Sequence, residues 1–236
     1  MSDIIKAQDT SVSTAVKSPR GLENRTDQSD LILPRAKKIE AMSPEMQDEA
    51  CVKSGVMPGK IINSITKEIL PEKFVPILFF KNWIRWNANK MGERGWVDGF
   101  GPRDIVYMIQ DPKDPRLVKD AQWDGDLPPV ATTYFNFLSI FEGQEMPVII
   151  TFGGTNARAG KELLSLATFK GGDLFSSKYR LTTKKVDGDK GTYFVFKVGY
   201  AEKATGNEYA IAENLYASFA AKEVKVHTED SETAPF

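Results

Sequence analysis

The sequence predicts a mainly β protein, an OB-fold-like Greek-key barrel with one helix inserted before the last β-hairpin. Three observations support this class. Aromatic and β-branched runs recur between residues 74 and 152, the period becomes helical near residue 155, and a Gly-rich turn then joins two further apolar runs. A helix late in a run of five or six strands is the order of an OB-type barrel, although an α+β sandwich gives the same order.

Six strands are predicted in the central part of the chain. The first runs from Phe74 to Trp86, where Pro76 indicates an edge position or a bulge. The others cover 105–109, 132–141, 147–152, 178–186 and 192–200, and the turn at 187–191 makes the last two a hairpin. Residues 61–65 indicate a short strand or an irregular segment, and residues 110–130 a Pro- and Asp-rich loop.

Two helices and two flexible tails complete the prediction. Apolar residues at helical spacing place one helix at 155–169, ended by Gly171 and Gly172, and a C-terminal helix at 209–221. The polar, aperiodic N-terminus is predicted to be a flexible arm. The domains are therefore an arm over 1–30, one OB-like DNA-binding domain over 31–222 and an acidic tail over 223–236.

The composition excludes several classes of active site. The chain has 236 residues, with 31 Lys and Arg against 32 Asp and Glu, one His and one Cys. The single Cys51 excludes an internal disulfide framework and suits a reducing compartment. The single His227, in a polar segment, argues against His-based catalysis and multi-ligand zinc sites. No apolar run reaches membrane-helix length, so we expect a cytoplasmic protein with no catalytic site, cofactor or membrane partner.

The first candidate site is an aromatic and basic cluster in the first long strand. Strand alternation places Lys81, Trp83 and Arg85 on one face, and the Gly-rich loop that follows carries Arg94 and Trp96. An indole flanked by cations can stack on a base while the cations meet its phosphates. The alternative is a core tryptophan with a charged rim.

The second candidate is a basic face of the predicted hairpin. Lys178, Arg180 and Lys184 alternate onto one side of its first strand, and Tyr193 and Lys197 on the partner strand can extend that side. Together with the first cluster, this face is predicted to form the other wall of a groove that follows a phosphate backbone. The alternative is the solvated outer face of a half-buried strand.

An acidic segment offers a metal-dependent alternative. Seven aspartates and four basic residues lie between positions 98 and 126. Asp98, Asp104 and Asp111 could supply oxygen ligands to the cations of a nuclease or resolvase. However, the segment lacks a calcium-loop spacing, and its Asp-Pro pairs are typical of turns, so no metal site is predicted.

A glycine-containing segment imitates a phosphate-binding loop. It lies between a predicted strand and a predicted helix and spans 153–162. Five residues rather than four separate Gly154 from Gly160, and Glu162 replaces the hydroxyl residue that would bind magnesium. We therefore predict no nucleotide site.

The C-terminus is an acidic tail that ends on an aromatic residue. Its candidate partner-binding residues are Glu229, Asp230, Glu232, Pro235 and Phe236. A terminal Phe carboxylate can dock into an apolar pocket rimmed by Arg or Lys. This ending resembles the acidic, Pro-Phe-terminated tip of bacterial single-stranded DNA-binding proteins. The segments IINSITKEIL and FVPILFFKNWIRWN are similar to those of phage proteins of about this length.

The resemblance implies a phage-encoded single-stranded DNA-binding protein with an OB core. In such proteins the tip recruits replication, recombination and repair proteins and competes with DNA for the basic groove. The function expected is to coat and protect single-stranded DNA during phage replication or recombination in the bacterial host cytoplasm, without strong sequence preference. The alternatives are the metal-dependent nuclease or resolvase and a virion or scaffold protein. The sequence leaves the oligomeric state open, a homo-oligomer included.

Overall fold

The computed structural model describes residues 32–188 and 191–220. The strands are β1 Ala36–Lys38, β2 Ile61–Asn63, β3 Lys73–Trp86, β4 Ile105–Ile109, β5 Ala131–Phe141, β6 Val148–Phe152, β7 Ser177–Gly188 and β8 Gly191–Lys203. The helices are α1 Glu49–Lys53, α2 Pro115–Asp120, α3 Ala157–Lys170 and α4 Gly206–Phe219. The predicted mainly β class is confirmed. Among the described helices, none combines the length and the apolar character needed to cross a membrane.

Strands β3 to β8 form one antiparallel sheet with the order β6-β5-β3-β7-β8, and β4 pairs with the end of β3. With α3 between β6 and β7, this order follows the Greek-key plan of an OB-type barrel, which is itself partly open. Within the described ranges no ladder joins β6 to β8. The sheet is therefore not a closed barrel, and another segment of the chain lies across the opening.

The segment 34–40 crosses the opening between β6 and β8. In β6, the backbone N–H of Ile149 donates to the carbonyl of Pro34 over 2.8 Å. In β8, the backbone N–H of Phe194 donates to the carboxylate of Glu40 over 3.1 Å. These edge groups are therefore satisfied without a ladder between the two strands.

Helices α3 and α4 cover opposite faces of the sheet, which we call the inner and the outer face. On the inner face, Leu163 of α3 packs into a buried cluster that includes Phe135, Phe152 and Phe196. The Phe152 and Phe196 ring centroids lie 5.6 Å apart, so β6 and β8 share this core although they do not pair. On the outer face, Ala212 of α4 is fully buried in a second cluster with residues of β3.

The predicted strands and helices are confirmed to within a few residues, and residues 61–63 form a short strand. The sequence did not predict the short elements β1, α1 and α2. Helix α2 lies in the segment predicted as a loop. Its N-cap is Asp114, whose carboxylate accepts from the Arg116 N–H over 2.9 Å, and Pro115 occupies its first turn. Asp-Pro is typical of a turn but also of a helix start, which explains the error. Helix α3 ends at Gly171 with φ +70°, as predicted.

Candidate nucleic-acid interface

Lys81 and Trp83 lie on the inner face of β3, beyond the part that α3 covers. The Lys81 ammonium lies 5.3 Å from the centroid of the Phe135 ring. Trp83 is half-buried and pairs with Thr133 of β5 on one side and Ile109 of β4 on the other. Within the described ranges no carboxylate pairs with Lys81. This lysine and the indole therefore keep the exposure that a nucleic-acid contact needs.

Arg85, predicted to contact DNA, forms an ion pair within the domain. Its guanidinium donates to Asp120 of α2 over 2.6 Å, and the Tyr107 hydroxyl donates to the same carboxylate oxygen over 2.6 Å. Burial, followed by the hydrogen bond to Asp120, raises the pKa of Tyr107 to about 12. Arg85 therefore attaches α2 to the sheet, and a phosphate would have to displace Asp120 to reach it.

Arg94 and Trp96 are held by their own part of the chain. The Arg94 guanidinium donates to the carbonyl of Pro128 and lies 4.0 Å from the Asp124 carboxylate. The Trp96 indole N–H donates to Asp98 over 2.9 Å. Both side chains therefore stabilise the long connection between β3 and β5.

Lys178 lies on the predicted side of β7, but α4 covers it there. Its ammonium lies 2.6 Å from Glu208 of α4, 3.0 Å from Glu142 of the β5–β6 turn and 3.4 Å from Glu202 of β8. The hydrogen bond to Glu208 is the main cause that raises the pKa of Lys178 above its ordinary value. Only 6% of the side chain is exposed, so Lys178 is closed to a ligand while α4 is in place.

The rest of this side of the hairpin is open to solvent. We call it the hairpin basic face, defined by Arg180, Lys184, Tyr193 and Lys197, all of them exposed. The β7–β8 register places Tyr193 and Lys197 as the diagonal neighbours of Lys184. Lys184 and Lys197 have no carboxylate partner among the described residues, and Arg180 lies 3.5 Å from Glu72. The face therefore offers a row of cations, Lys184, Lys197 and Arg180, that begins next to an exposed aromatic ring.

The structure does not bring the two predicted groove walls together. Lys73 of β3 pairs with Arg180 of antiparallel β7. From that pair, Trp83 lies ten residues along β3, whereas Lys184 lies four residues along β7 in the opposite direction. The two sets are about 14 residues apart, roughly 45 Å of strand, and occupy opposite faces of the sheet. Any single strand that touches both must therefore wrap around the domain.

The end of α3 carries a basic and aromatic contact that the sequence did not indicate. Lys170, in the last turn of α3, places its ammonium 3.8 Å from the centroid of the Tyr200 ring of β8. Tyr200 is 37% exposed. The available signal was a lysine directly before the helix-ending Gly171, where a cation is favoured by the helix dipole.

The aspartates proposed for a metal site do not gather. Asp98 accepts from Trp96, Asp104 from the Gly101 N–H over 2.6 Å, and Asp111 from the Lys113 N–H over 2.9 Å. Each carboxylate is thus bonded to a residue two or three positions away in the chain. In residues 32–188 and 191–220 no group of three acidic, His or Cys side chains is placed to hold a metal ion.

The predicted tail residues Glu229, Asp230, Glu232, Pro235 and Phe236 lie outside the described residues, as does the N-terminal arm.

Comparison with known proteins covers more of the chain than the structure does. The sequence model of the Pam3 phage gp34-like protein family matches residues 6–225. No curated protein and no solved structure matches the chain. The chain therefore belongs to the Pam3 phage gp34-like protein family.

Proposed function

We propose that this phage-family protein binds single-stranded DNA without strong sequence preference and coats it during phage DNA replication, recombination or repair. The observation that carries the proposal is the hairpin basic face, where Tyr193 is exposed and Lys184 and Lys197 have no carboxylate partner in the part of the chain that the structure describes. Cations spaced along a strand attract successive phosphates, and an aromatic ring at the end of their row can stack on a base.

The strand order supports the same proposal. OB-type barrels bind oligonucleotides on the outward face of their second and third strands and on neighbouring loops. In this chain those strands are β5 and β6, and their outward residues Leu138 and Ile149 are buried in a cluster with Phe219 of α4. The proposed DNA contact is therefore shifted to the hairpin, with Lys81 and Trp83 as a second contact point.

The C-terminal tail is proposed to recruit a replication or recombination protein in the host cytoplasm. Its residues Glu229, Asp230 and Glu232 carry charge opposite to a basic partner pocket, and Phe236 supplies an apolar anchor. This part of the proposal rests on the resemblance of the tail to the tips of bacterial single-stranded DNA-binding proteins.

The test compares a double variant of the hairpin basic face with wild type. We expect Lys184→Gln with Lys197→Gln to weaken binding of fluorescent oligo-dT at low salt. The slope of log K against log salt should also fall by about 1.4, because each lost phosphate contact on a single strand contributes about 0.7. Anisotropy titrations at several salt concentrations measure both quantities.

The matched control removes the same charge elsewhere. Lys113→Gln with Lys119→Gln changes two exposed lysines near α2, and we expect the affinity of this variant to stay within twofold of wild type. Absence of oligo-dT binding by the wild type would sink the proposal. Magnesium-dependent cleavage of branched or single-stranded DNA would instead support the nuclease alternative.

A further inference from the structure

A shallow groove of about 470 Å³ lies between α3 and β8. Its apolar floor includes Leu166 and Val198, and Arg158 and Lys161 stand at its rim. Phe169, at the end of α3, is 89% exposed. A benzyl ring left this open next to a groove is unusual for a side chain whose burial is normally favourable.

The charge around this groove is positive. Its charged lining residues are Arg158, Lys161 and one acid, Glu162, which pairs with Arg158 over 2.9 Å. The sum is +1 for these three residues. The groove therefore combines exposed aromatic surface with unbalanced positive charge, which matches the chemistry of a nucleobase attached to a phosphate backbone.

The groove is continuous with the hairpin basic face through β8. Lys197 points to the outer side of β8 and belongs to the hairpin basic face, whereas its neighbour Val198 points inward and lines the groove. Glu40 and Asn156 bond to the free edge of β8 at Phe194 and Phe196. Beyond Phe196, next to Lys197 and Val198, a nucleic-acid strand can pass around this edge from one side of β8 to the other.

We propose that the groove between α3 and β8 is a base-binding site for single-stranded DNA, with Phe169 as its stacking residue. This proposal rests on the proposed function and deepens it. Phosphates on the hairpin basic face would place the next bases over the edge of β8, where Phe169 can stack on them and Lys161 can meet the following phosphate. The hairpin basic face supplies charge, and the groove supplies the preference for bases.

The test distinguishes binding to the bases of the DNA from binding to its sugar-phosphate backbone. Binding of two fluorescent probes is measured by anisotropy, one an oligo-dT and the other an abasic deoxyribose-phosphate oligomer of the same length. We expect Phe169→Ala to weaken oligo-dT binding about tenfold, the scale of one stacked base, and to leave abasic binding within twofold. Phe169→Trp should restore oligo-dT binding. The control Trp123→Ala removes another exposed aromatic residue, 68% exposed, and should change neither affinity.

The outcomes distinguish this inference from the proposed function. Wild-type binding to oligo-dT with no effect of Phe169→Ala would overturn the base-binding site while leaving single-stranded DNA binding intact. An equal loss on both probes would also overturn it, because the ring would then act on the backbone or on the fold. No wild-type binding to either probe would overturn the proposed function itself. Since Phe169 is exposed, its replacement should leave the thermal unfolding midpoint unchanged.

Discussion

The Lys178 ammonium donates to the Glu208 carboxylate over 2.6 Å and thereby joins β7 to the first turn of α4. Glu208 also completes a capping box, in which its other oxygen accepts from the Thr205 N–H over 2.9 Å. One carboxylate therefore both starts α4 and attaches it to the outer face of the sheet. Loss of this contact should loosen α4 as a unit.

We expect Lys178→Met to lower the free energy of unfolding by about 3 kcal/mol, because it leaves three carboxylates near one another without their shared cation. Urea denaturation with fluorescence detection measures the change. Lys73→Met is the matched control, because Lys73 is 33% exposed and pairs only with Glu202 in the described chain. We expect this variant to lower the free energy of unfolding by less than about 1 kcal/mol. A similar loss for both variants would contradict the special position of Lys178.

The same contact predicts loss of stability in acid. Burial alone would raise the pKa of Glu208, but hydrogen bonds from Lys178 and Thr205 outweigh it and hold the pKa below its ordinary 4.5. A carboxyl whose pKa is lower in the folded state stabilises the fold above the unfolded value and loses that contribution as the pH falls through the folded one. The thermal unfolding midpoint of the wild type should therefore decrease as the pH is lowered below about 4.5. The decrease should be smaller in Glu208→Gln, which lacks this titrating carboxyl. An identical acid profile for both proteins would rule out this carboxyl as a source of the effect.

Arg85 should prove to be a stability residue. We expect Arg85→Gln to lower the free energy of unfolding by about 2 kcal/mol, since it leaves Asp120 without its cation, and to keep the oligo-dT affinity within twofold. Chemical denaturation and anisotropy on the same sample measure the two effects. Arg116→Gln removes a more exposed pair with Asp114 and should cost at most about 1 kcal/mol. Weakened DNA binding at unchanged stability would instead place Arg85 at a phosphate.

Gly160 lies where α3 crosses the sheet most closely. A Cβ at this position would lie 2.8 Å from the Phe152 Cβ and 2.9 Å from the Phe135 Cβ. Alanine favours a helix by about 1 kcal/mol over glycine, but overpacking costs about 1–3 kcal/mol. We therefore expect Gly160→Ala to lower the free energy of unfolding by about 1 kcal/mol. In the control Gly206→Ala the added Cβ meets no neighbour, so we expect no decrease in the free energy of unfolding. If Gly160→Ala were more stable than wild type, α3 would have to shift outward to make room for the methyl group.

Much of the fold could be predicted because its signals are local. The aromatic and β-branched residues from Phe74 to Trp86 and the Gly-rich turn at 187–191 are signals within short stretches of chain, and Gly171 ends α3 through its own backbone conformation. The opening between β6 and β8 could not be predicted in this way. It depends on how the distant segment 34–40 meets both edges, and that contact has no periodic signature in the sequence.

Two lysines of β7 show which features of the candidate site could be predicted from the sequence and which could not. Alternation alone placed Lys178 and Lys184 on the same side of β7, and the structure agrees. What covers that side depends on residues far along the chain: Glu142 and Glu208 surround Lys178, whereas Lys184 stays in solvent. Sequence by itself therefore determined the strands and the direction of their side chains. Only the tertiary structure decided which cations are free to bind a ligand, because burial and ion pairing are set by contacts between distant elements.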